Sequence, residues 1–512
     1  MTQQEILFNE VPLEKLALLS KEELVLLFKG EQSLRLQLAK ENKKLRDLHE
    51  LLKQRSFTIE EQLVTIKNKL YGKSSERSKK TGSESGQNNN QTNKKKRILL
   101  PSERYPDAPV IEQHVTLDIL PSCKCCGVQM QDSGMTEDSE FLTKTPAEYF
   151  VVVQMRHKYR CGGCHSDIRT APLPPRIAPG SSYSDELIID VAVSKYCDLI
   201  PIERQAKMAE RAGFKGIPPQ SLIEGTHSFA DLVRPAYVGC EAEFLADLVA
   251  HADETPHNML EGDKKSSWYL WGFATEKTSY FEYHDSRSGD VASDLLIKSK
   301  CEYLVSDVYS GYSKAVKDVN KIRAENNLPQ IQHVYCNAHA RRYFKQASES
   351  FPQEAKYYVN QYRKIYRLEK LANKYPNKKE KIRRRLRKYF EKIKTKCLAD
   401  VGGYSTKSGL GKAMNYFLKN YTGFTLFIGD IRLPIDNNPA ERLLRSPVIG
   451  RKTWYGTHSK RGSETAAIIF TLVESCKLNG INPREYFKNL VQDLLIGKKS
   501  YTPNQYKHLA KK

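Results

Sequence analysis

Between residues 241 and 345, strand-like runs alternate with helical ones in an order that few sheets accommodate. Phe244 to Ala252 reads as a strand running into Asp253, while Trp268 to Ala274 and Tyr280 to His284 alternate like the next two antiparallel strands. Asp290 to Lys298 has helical spacing, and Glu302 to Ser306 is a short apolar strand that ends at Asp307. Ile331 to Tyr335 then leads into a helix beginning Asn337-Ala-His-Ala-Arg-Arg-Tyr-Phe. A third acid, Glu441, opens another helix in Asp-Asn-Asn-Pro-Ala-Glu-Arg.

Three antiparallel strands, a helix and a parallel fourth strand imply an α/β, ribonuclease-H-like core. The first and fourth strands of such a sheet are neighbours, so Asp253 and Asp307 are expected to meet. Carboxylates so placed suit Mg²⁺ (or Mn²⁺), which prefers oxygen ligands. Two such ions about 4 Å apart stabilise the attacking and leaving oxygens of a phosphodiester displacement. Each acid has a plainer alternative. Glu254 would point to the other side of the strand from Asp253. Glu441 also suits the third position of a capping box, with Asn438 as N-cap and Pro439 as the first helical residue. If Glu441 is only a cap, Glu464 is the rival third acid; Asp436 reads as a turn or cap residue.

Lys and Arg total 82 against 60 Asp and Glu, a net charge of +22, which favours a polyanionic partner. There is neither an apolar run of membrane-spanning length nor a signal-peptide pattern, so a cytoplasmic location with reduced thiols is expected, and no membrane partner. Counting in sevens from Leu24 gives Leu24, Glu31, Leu38, Leu45, Leu52, Ile59 and Ile66, a coiled-coil pattern that favours a homo-oligomer over a helix folded back on its own domain. A Ser-, Asn- and Lys-rich linker follows. Cys123, Cys126, Cys161 and Cys164 form two C-x-x-C knuckles, the donor set of a closed structural Zn²⁺ site. Ile202 to Arg211, a Gly-containing turn and Pro218 to Ala230 outline a helix-turn-helix whose base contacts would come from Gln220 and Ser221. The chain thus divides into a coiled coil (1–72), a basic linker (73–97), a zinc module (98–175) and a helical DNA-binding region (176–240). A catalytic core (241–445) follows, with a helical insertion at about 345–420, and then a basic, helical C-terminal region (446–512).

Several segments together carry a family resemblance: His251-Ala-Asp-Glu-Thr-Pro-His, Asp307-Val-Tyr-Ser-Gly-Tyr, Cys336-Asn-Ala-His-Ala-Arg-Arg-Tyr-Phe and Asp436-Asn-Asn-Pro-Ala-Glu-Arg-Leu-Leu-Arg. So do Gly450-Arg-Lys-Thr-Trp, Arg461-Gly-Ser-Glu-Thr-Ala-Ala, Leu70-Tyr-Gly-Lys-Ser-Ser-Glu-Arg and the double knuckle. With them, nearly the whole chain resembles the insertion-sequence-66 family of bacterial DDE transposases. The resemblance implies a retroviral-integrase-like fold, Mg²⁺-dependent strand cleavage and transfer, recognition of terminal inverted repeats, and small accessory proteins of the same element. It makes Asp253, Asp307 and Glu441 the catalytic triad. Two positions depart from the family pattern: Val308-Tyr309 stands where Asp-Gly-Tyr is usual, and Asn337 where tryptophan is expected.

Double-stranded DNA, as element end and target, is the expected partner. Arg341 and Arg342 are candidates for phosphate contact through their guanidinium forks. His339 suits either phosphate contact or the core. Arg442, Arg445, Arg451, Lys452 and Trp454 are further DNA-contact candidates, since basic residues interleaved with aromatics suit a distorted DNA end. The Lys-Lys-Glu-Lys-Ile-Arg-Arg-Arg-Leu-Arg-Lys run within the insertion reads as a basic face for DNA or as a solvated charged helix. The expectation is therefore a transposase; the alternative is a zinc-containing DNA-binding regulator with an inert nuclease-like core.

Overall fold

The computed structural model describes residues 20–71, 100–106, 110, 112, 121–122, 124–129, 139–142, 148–160, 168–260 and 267–509. Contacts group the chain into two units, 75–170 and 1–74 with 171–512. In the smaller unit β1 (Lys158–Arg160) pairs antiparallel with β2 (Ile168–Thr170), and Cys126 is exposed. The expected zinc site falls on Cys123, Cys161 and Cys164, which lie outside the described residues, as does the linker.

The larger unit begins with α1 (Lys21–Tyr71), a continuous helix of 51 residues on which Leu24, Leu38, Leu45 and Leu48 are exposed. The helices α2 (Asp185–Tyr196), α3 (Ile202–Arg211) and α4 (Pro219–Ala246) precede the sheet. The sheet segment runs β3 (Val249–Asn258), β4 (Ser267–Ala274), β5 (Ser279–His284), α5 (Gly289–Lys298), β6 (Tyr303–Ser306), α6 (Ser310–Glu325) and β7 (Gln332–Tyr335). Among the described residues eleven α-helices follow: α7 (Asn337–Ala347), α8 (Pro352–Lys374), α9 (Lys379–Arg384), α10 (Arg387–Asp400), α11 (Gly409–Lys419), α12 (Tyr421–Thr425), α13 (Asn438–Leu443), α14 (Arg445–Trp454), α15 (Lys460–Asn479), α16 (Pro483–Leu495) and α17 (Pro503–Leu509). Helix starts follow local chemistry. The Ser184 hydroxyl accepts the Leu187 N–H at α2, and Pro219, Pro352 and Pro483 occupy first turns, where a missing donor is harmless. No described helix is long and apolar enough to cross a membrane.

The sheet order is β5-β4-β3-β6-β7, with β5, β4 and β3 antiparallel and β3, β6 and β7 parallel. Period-two alternation divides its side chains. Ala250, Ala252, Trp271, Phe273, Tyr280 and Leu304 pack with Leu295, Leu296, Tyr312 and Val316 of α5 and α6. On the other face Leu270, Ala274 and Phe281 meet α4 and α15, and Val305 and Val334 meet the helices from α7 onward. The edge strand β5 is not left open. Its Ser279 and Phe281 N–H groups donate to Ser475 and Thr471 hydroxyls of α15 at 3.0 Å each, and Tyr237 of α4 donates to the Phe281 carbonyl. Side chains thereby replace a missing strand and block pairing with another chain.

Three expectations are corrected. Residues 244–246 are helical, because Phe244 packs inward against Phe273 at the end of α4; the strand starts at Val249 and continues to Asn258, so Asp253 lies mid-strand. The helix-turn-helix outline forms as α3 and α4, but its second helix continues past Ala230 to Ala246, with Phe229, Val233, Ala236 and Cys240 buried and Gln220 and Ser221 exposed. Finally, residues 176–240 and 446–512 are not bodies of their own. Ile188, Phe229, Leu270, Phe281, Ile469 and Phe487 share one core, since the sheet face beside β5 needs both segments to cover it.

Gly289 opens α5 so close to α6 that a Cβ there would lie 2.2 Å from the Gly311 carbonyl oxygen. α6 starts at Ser310, three residues after Asp307. Gly289→Ala is expected to destabilise the protein by about 1–3 kcal/mol through overpacking. The measurement is the denaturant midpoint, and an unshifted midpoint would show that the approach is dispensable.

Candidate active site

Asp253 and Asp307 are brought abreast by strand register. Val249, Ala250 and His251 pair with Tyr303, Leu304 and Val305, and the same offset carried forward sets position 253 beside position 307. Adjacent strands run about 4.8 Å apart, within reach of a shared ligand. Asp253 shares its sheet face with His251 and Thr255, and one of its oxygens accepts the Glu254 N–H at 3.0 Å. Asp307 follows the last residue of β6, where its carboxylate accepts the Tyr309 N–H at 3.0 Å and closes the turn into α6.

Glu441 approaches from α13, near enough for its charge to act on the Asp253 carboxyl, although among the described residues the three acids do not bring their ligand atoms within 4.8 Å of one another. The device that aims it is Asn437, a buried residue just before the helix. The Asn437 amide donates to the Ala252 carbonyl at 2.8 Å, its oxygen accepts from His251 Nδ1 at 2.8 Å, and its backbone N–H meets Cys336 Sγ at 3.2 Å. Burial pushes His251 down to about 4, so the ring is neutral and donates through Nδ1. α13 is thereby tied to β3 one residue before Asp253. Asn437 is the N-cap and Asn438 the first helical residue, so Glu441 stands fourth in the helix, past the capping-box position, and α13 has no side-chain cap hydrogen bond. The Glu441 carboxylate lies 3.7 Å from His339 Nδ1 and 3.9 Å from Cys336 Sγ. The Asp253 carboxyl is held well above the usual range, first by burial and then by the negative charges of Glu254, Asp307 and Glu441.

The neighbouring acids are engaged elsewhere. Glu254 faces the opposite side of β3, where Tyr312 Oη donates at 2.6 Å and Arg287 forms an ion pair at 2.6 Å. Burial raises its carboxyl while these partners oppose the rise. Glu464 is exposed on α15 and pairs with Arg234 at 3.5 Å. Asp436 accepts the Asn438 N–H at 3.2 Å, as a turn residue does.

A family model described as "Transposase IS66 family" matches residues 180–465, a span that contains all three acids. The chain belongs to this transposase family. It is also similar to two proteins of Sinorhizobium fredii (strain NBRC 101917 / NGR234), both named only as uncharacterized proteins. To y4jD it is 27% identical over 76% of this chain and 77% of that one. To y4hP it is 24% identical over 76% and 73%.

In this IS66-family chain the basic candidates are spread around the acids. Arg341 and Arg342 are exposed on α7, the former 5.7 Å from the Tyr366 ring centroid. Arg442, Arg445 and Lys452 are exposed on α13 and α14, and Arg442 donates to the Asn438 carbonyl. Arg451 Nη1 lies 3.5 Å from Thr255 Oγ1, on the Asp253 face of β3. Trp454 turns inward against Tyr196, while Tyr455, in a left-handed conformation at φ 71°, stays 68% exposed. Asn337, the residue at the family's tryptophan position, is fully buried and donates to the Phe424 and Ile435 carbonyls at 3.0 and 3.1 Å. It ties the start of α7 to the segment that carries α13. Of the parts that aim the site, Asn437 is foreshadowed in the sequence only by two adjacent asparagines before a proline.

Proposed function

We propose that this chain binds the ends of its own element as double-stranded DNA and cleaves and rejoins phosphodiesters with Asp253, Asp307 and Glu441. The observation that carries this is the arrival of an Asn437-clamped helix opposite two register-matched aspartates. The strand order supports a ribonuclease-H-like core of the retroviral-integrase kind.

The donor set fits a divalent cation: three carboxylates, two on adjacent strands, with like charges around a buried Asp253 that a cation would relieve. Bound Mg²⁺ or Mn²⁺ would lower the pKa of an attacking water and offset charge on the phosphate oxygens. The protein's own part is alignment. The Glu254 and Tyr309 N–H groups fix the aspartates, and His251 with Asn437 fixes α13. Arg341, Arg342, Arg442, Arg445, Arg451 and Lys452 would neutralise phosphates along the DNA. The exposed heptad leucines of α1 suit a coiled coil with a second copy, and the four knuckle cysteines suit a structural Zn²⁺.

The test uses the full chain and a DNA fragment carrying the element's inverted-repeat end. Strand-specific nicking should require Mg²⁺ or Mn²⁺, stop on chelation and disappear in Asp307→Asn, which should still bind the fragment. Tight binding without cleavage in either ion would favour an inert regulator. Wild-type nicking by Asp307→Asn would reject the proposed roles.

A further inference from the structure

We infer that His339 is a metal ligand rather than a phosphate contact, and that the ion held at Glu441 is one that accepts imidazole nitrogen, such as Mn²⁺. The inference deepens the proposed function and rests on Glu441 being a metal-holding acid. Ligand atoms of Cys336, His339 and Glu441 lie within 4.8 Å of one another. The arrangement has a local cause. Cys336 immediately precedes α7, His339 lies in its first turn, and the two residues face the side on which Asn437 delivers α13.

His339 Nδ1 is buried and has no hydrogen-bond partner, and its nearest acid is Glu441 at 3.7 Å, beyond hydrogen-bond reach. An imidazole nitrogen in that position would ordinarily be satisfied, because a buried polar atom left alone costs free energy. Tyr366 Oη is buried and unpartnered too. An orphaned imidazole nitrogen 3.7 Å from a carboxylate points to a polar occupant. A cation between His339 and Glu441 would satisfy the nitrogen and the carboxylate together.

Cys336 has a different part. Its sulfur is engaged by the Asn437 N–H at 3.2 Å, and its S–H points to Glu441 Oε1 at 3.9 Å. As donor to Glu441 and acceptor from Asn437, it has the part of orienting that carboxylate. The first coordination set is therefore nitrogen and oxygen. Such a set suits Mn²⁺ better than Mg²⁺, which strongly prefers oxygen.

The experiment uses the purified full chain without DNA and Mn²⁺ alone as probe, an ion poorly matched to the soft thiolates of the cysteine knuckles. Pulsed electron paramagnetic resonance of bound Mn²⁺ should show ¹⁴N coupling in the wild type. His339→Ala should abolish that coupling and weaken Mn²⁺ binding on the order of 10-fold or more, as loss of an inner or orienting ligand does. Mg²⁺ binding should change little. His339→Gln, which keeps a polar side chain, should also lack the nitrogen signal, and thermal melting would show that both variants fold. No ¹⁴N coupling in the wild type would overturn the inference. So would coupling that survives in both variants, or an His339→Ala protein that loses DNA affinity while Mn²⁺ binding is unchanged. Nicking by Asp307→Asn decides the three-acid reading separately, so either can fail alone.

Discussion

Asp253→Asn should reduce strand cleavage on the order of 10³-fold or more and, in metal-free protein at neutral pH, raise the melting temperature. The two effects have one cause. Asp253 lies mid-strand in the central β3, and burial together with the charges of Glu254, Asp307 and Glu441 holds its carboxyl well above the usual range. Ionising such a group opposes folding. The penalty is absent below the pKa of the unfolded chain and grows as pH rises through the folded value. Metal-free wild type should therefore lose stability relative to Asp253→Asn between acidic and neutral pH, and the two melting curves should converge in acid. Added Mn²⁺ should stabilise the wild type and leave the variant nearly unmoved.

Glu254→Gln supplies the control for the strand face. It should keep cleavage within roughly tenfold of wild type yet melt lower, because the carboxylate it removes is paired to Arg287 and Tyr312. A variant at Asp253 that melts below wild type without metal, or equal loss of cleavage at the two positions, would sink this account.

The aspartates were legible because β3 and β6 are parallel neighbours whose acids share a register, and a period of two decides which of Asp253 and Glu254 faces the site. The start of β3 was misjudged, since Phe244 suits a helix end as well as a strand. The partition into separate helical regions failed for a related reason. An amphipathic helix announces that it has a buried face but not what covers it, and here α2, α4, α15 and α16 share one core with Leu270, Ala274 and Phe281 of the sheet. The role of Asn437 was not legible because one residue makes three contacts, two from its side chain and one from its backbone N–H, to residues about a hundred or more positions away, and no local pattern encodes that. Trp454, the expected DNA contact, turns inward, and Tyr455 is exposed where α14 ends in a left-handed residue whose carbonyl accepts from Asn258.

The basic run of the insertion shows the same gap between composition and placement. Of its consecutive arginines, Arg383 is buried at 1% side-chain exposure, pairing with Glu369 at 2.6 Å and donating to the Phe427 and Asp430 carbonyls. It pins α9 to α8 and to the stretch that leads toward α13. Arg384 next to it is 74% exposed and pairs with Glu380 one turn away. Arg383→Met should cost about 3–5 kcal/mol, because Glu369 would be left as a buried, unpaired charge. That is a large share of the roughly 5–15 kcal/mol by which domains are stable. Arg384→Met should fall within about 0.5 kcal/mol of wild type while lowering the salt sensitivity of DNA binding. Joint replacement of Arg383 and Glu369 by Met should recover most of the loss, since an apolar pair leaves no charge without a partner. Urea midpoints of the three variants distinguish the cases. If Arg383→Met were as mild as Arg384→Met, the run would be one uniform solvated face and the buried pair would contribute nothing to holding the insertion in place.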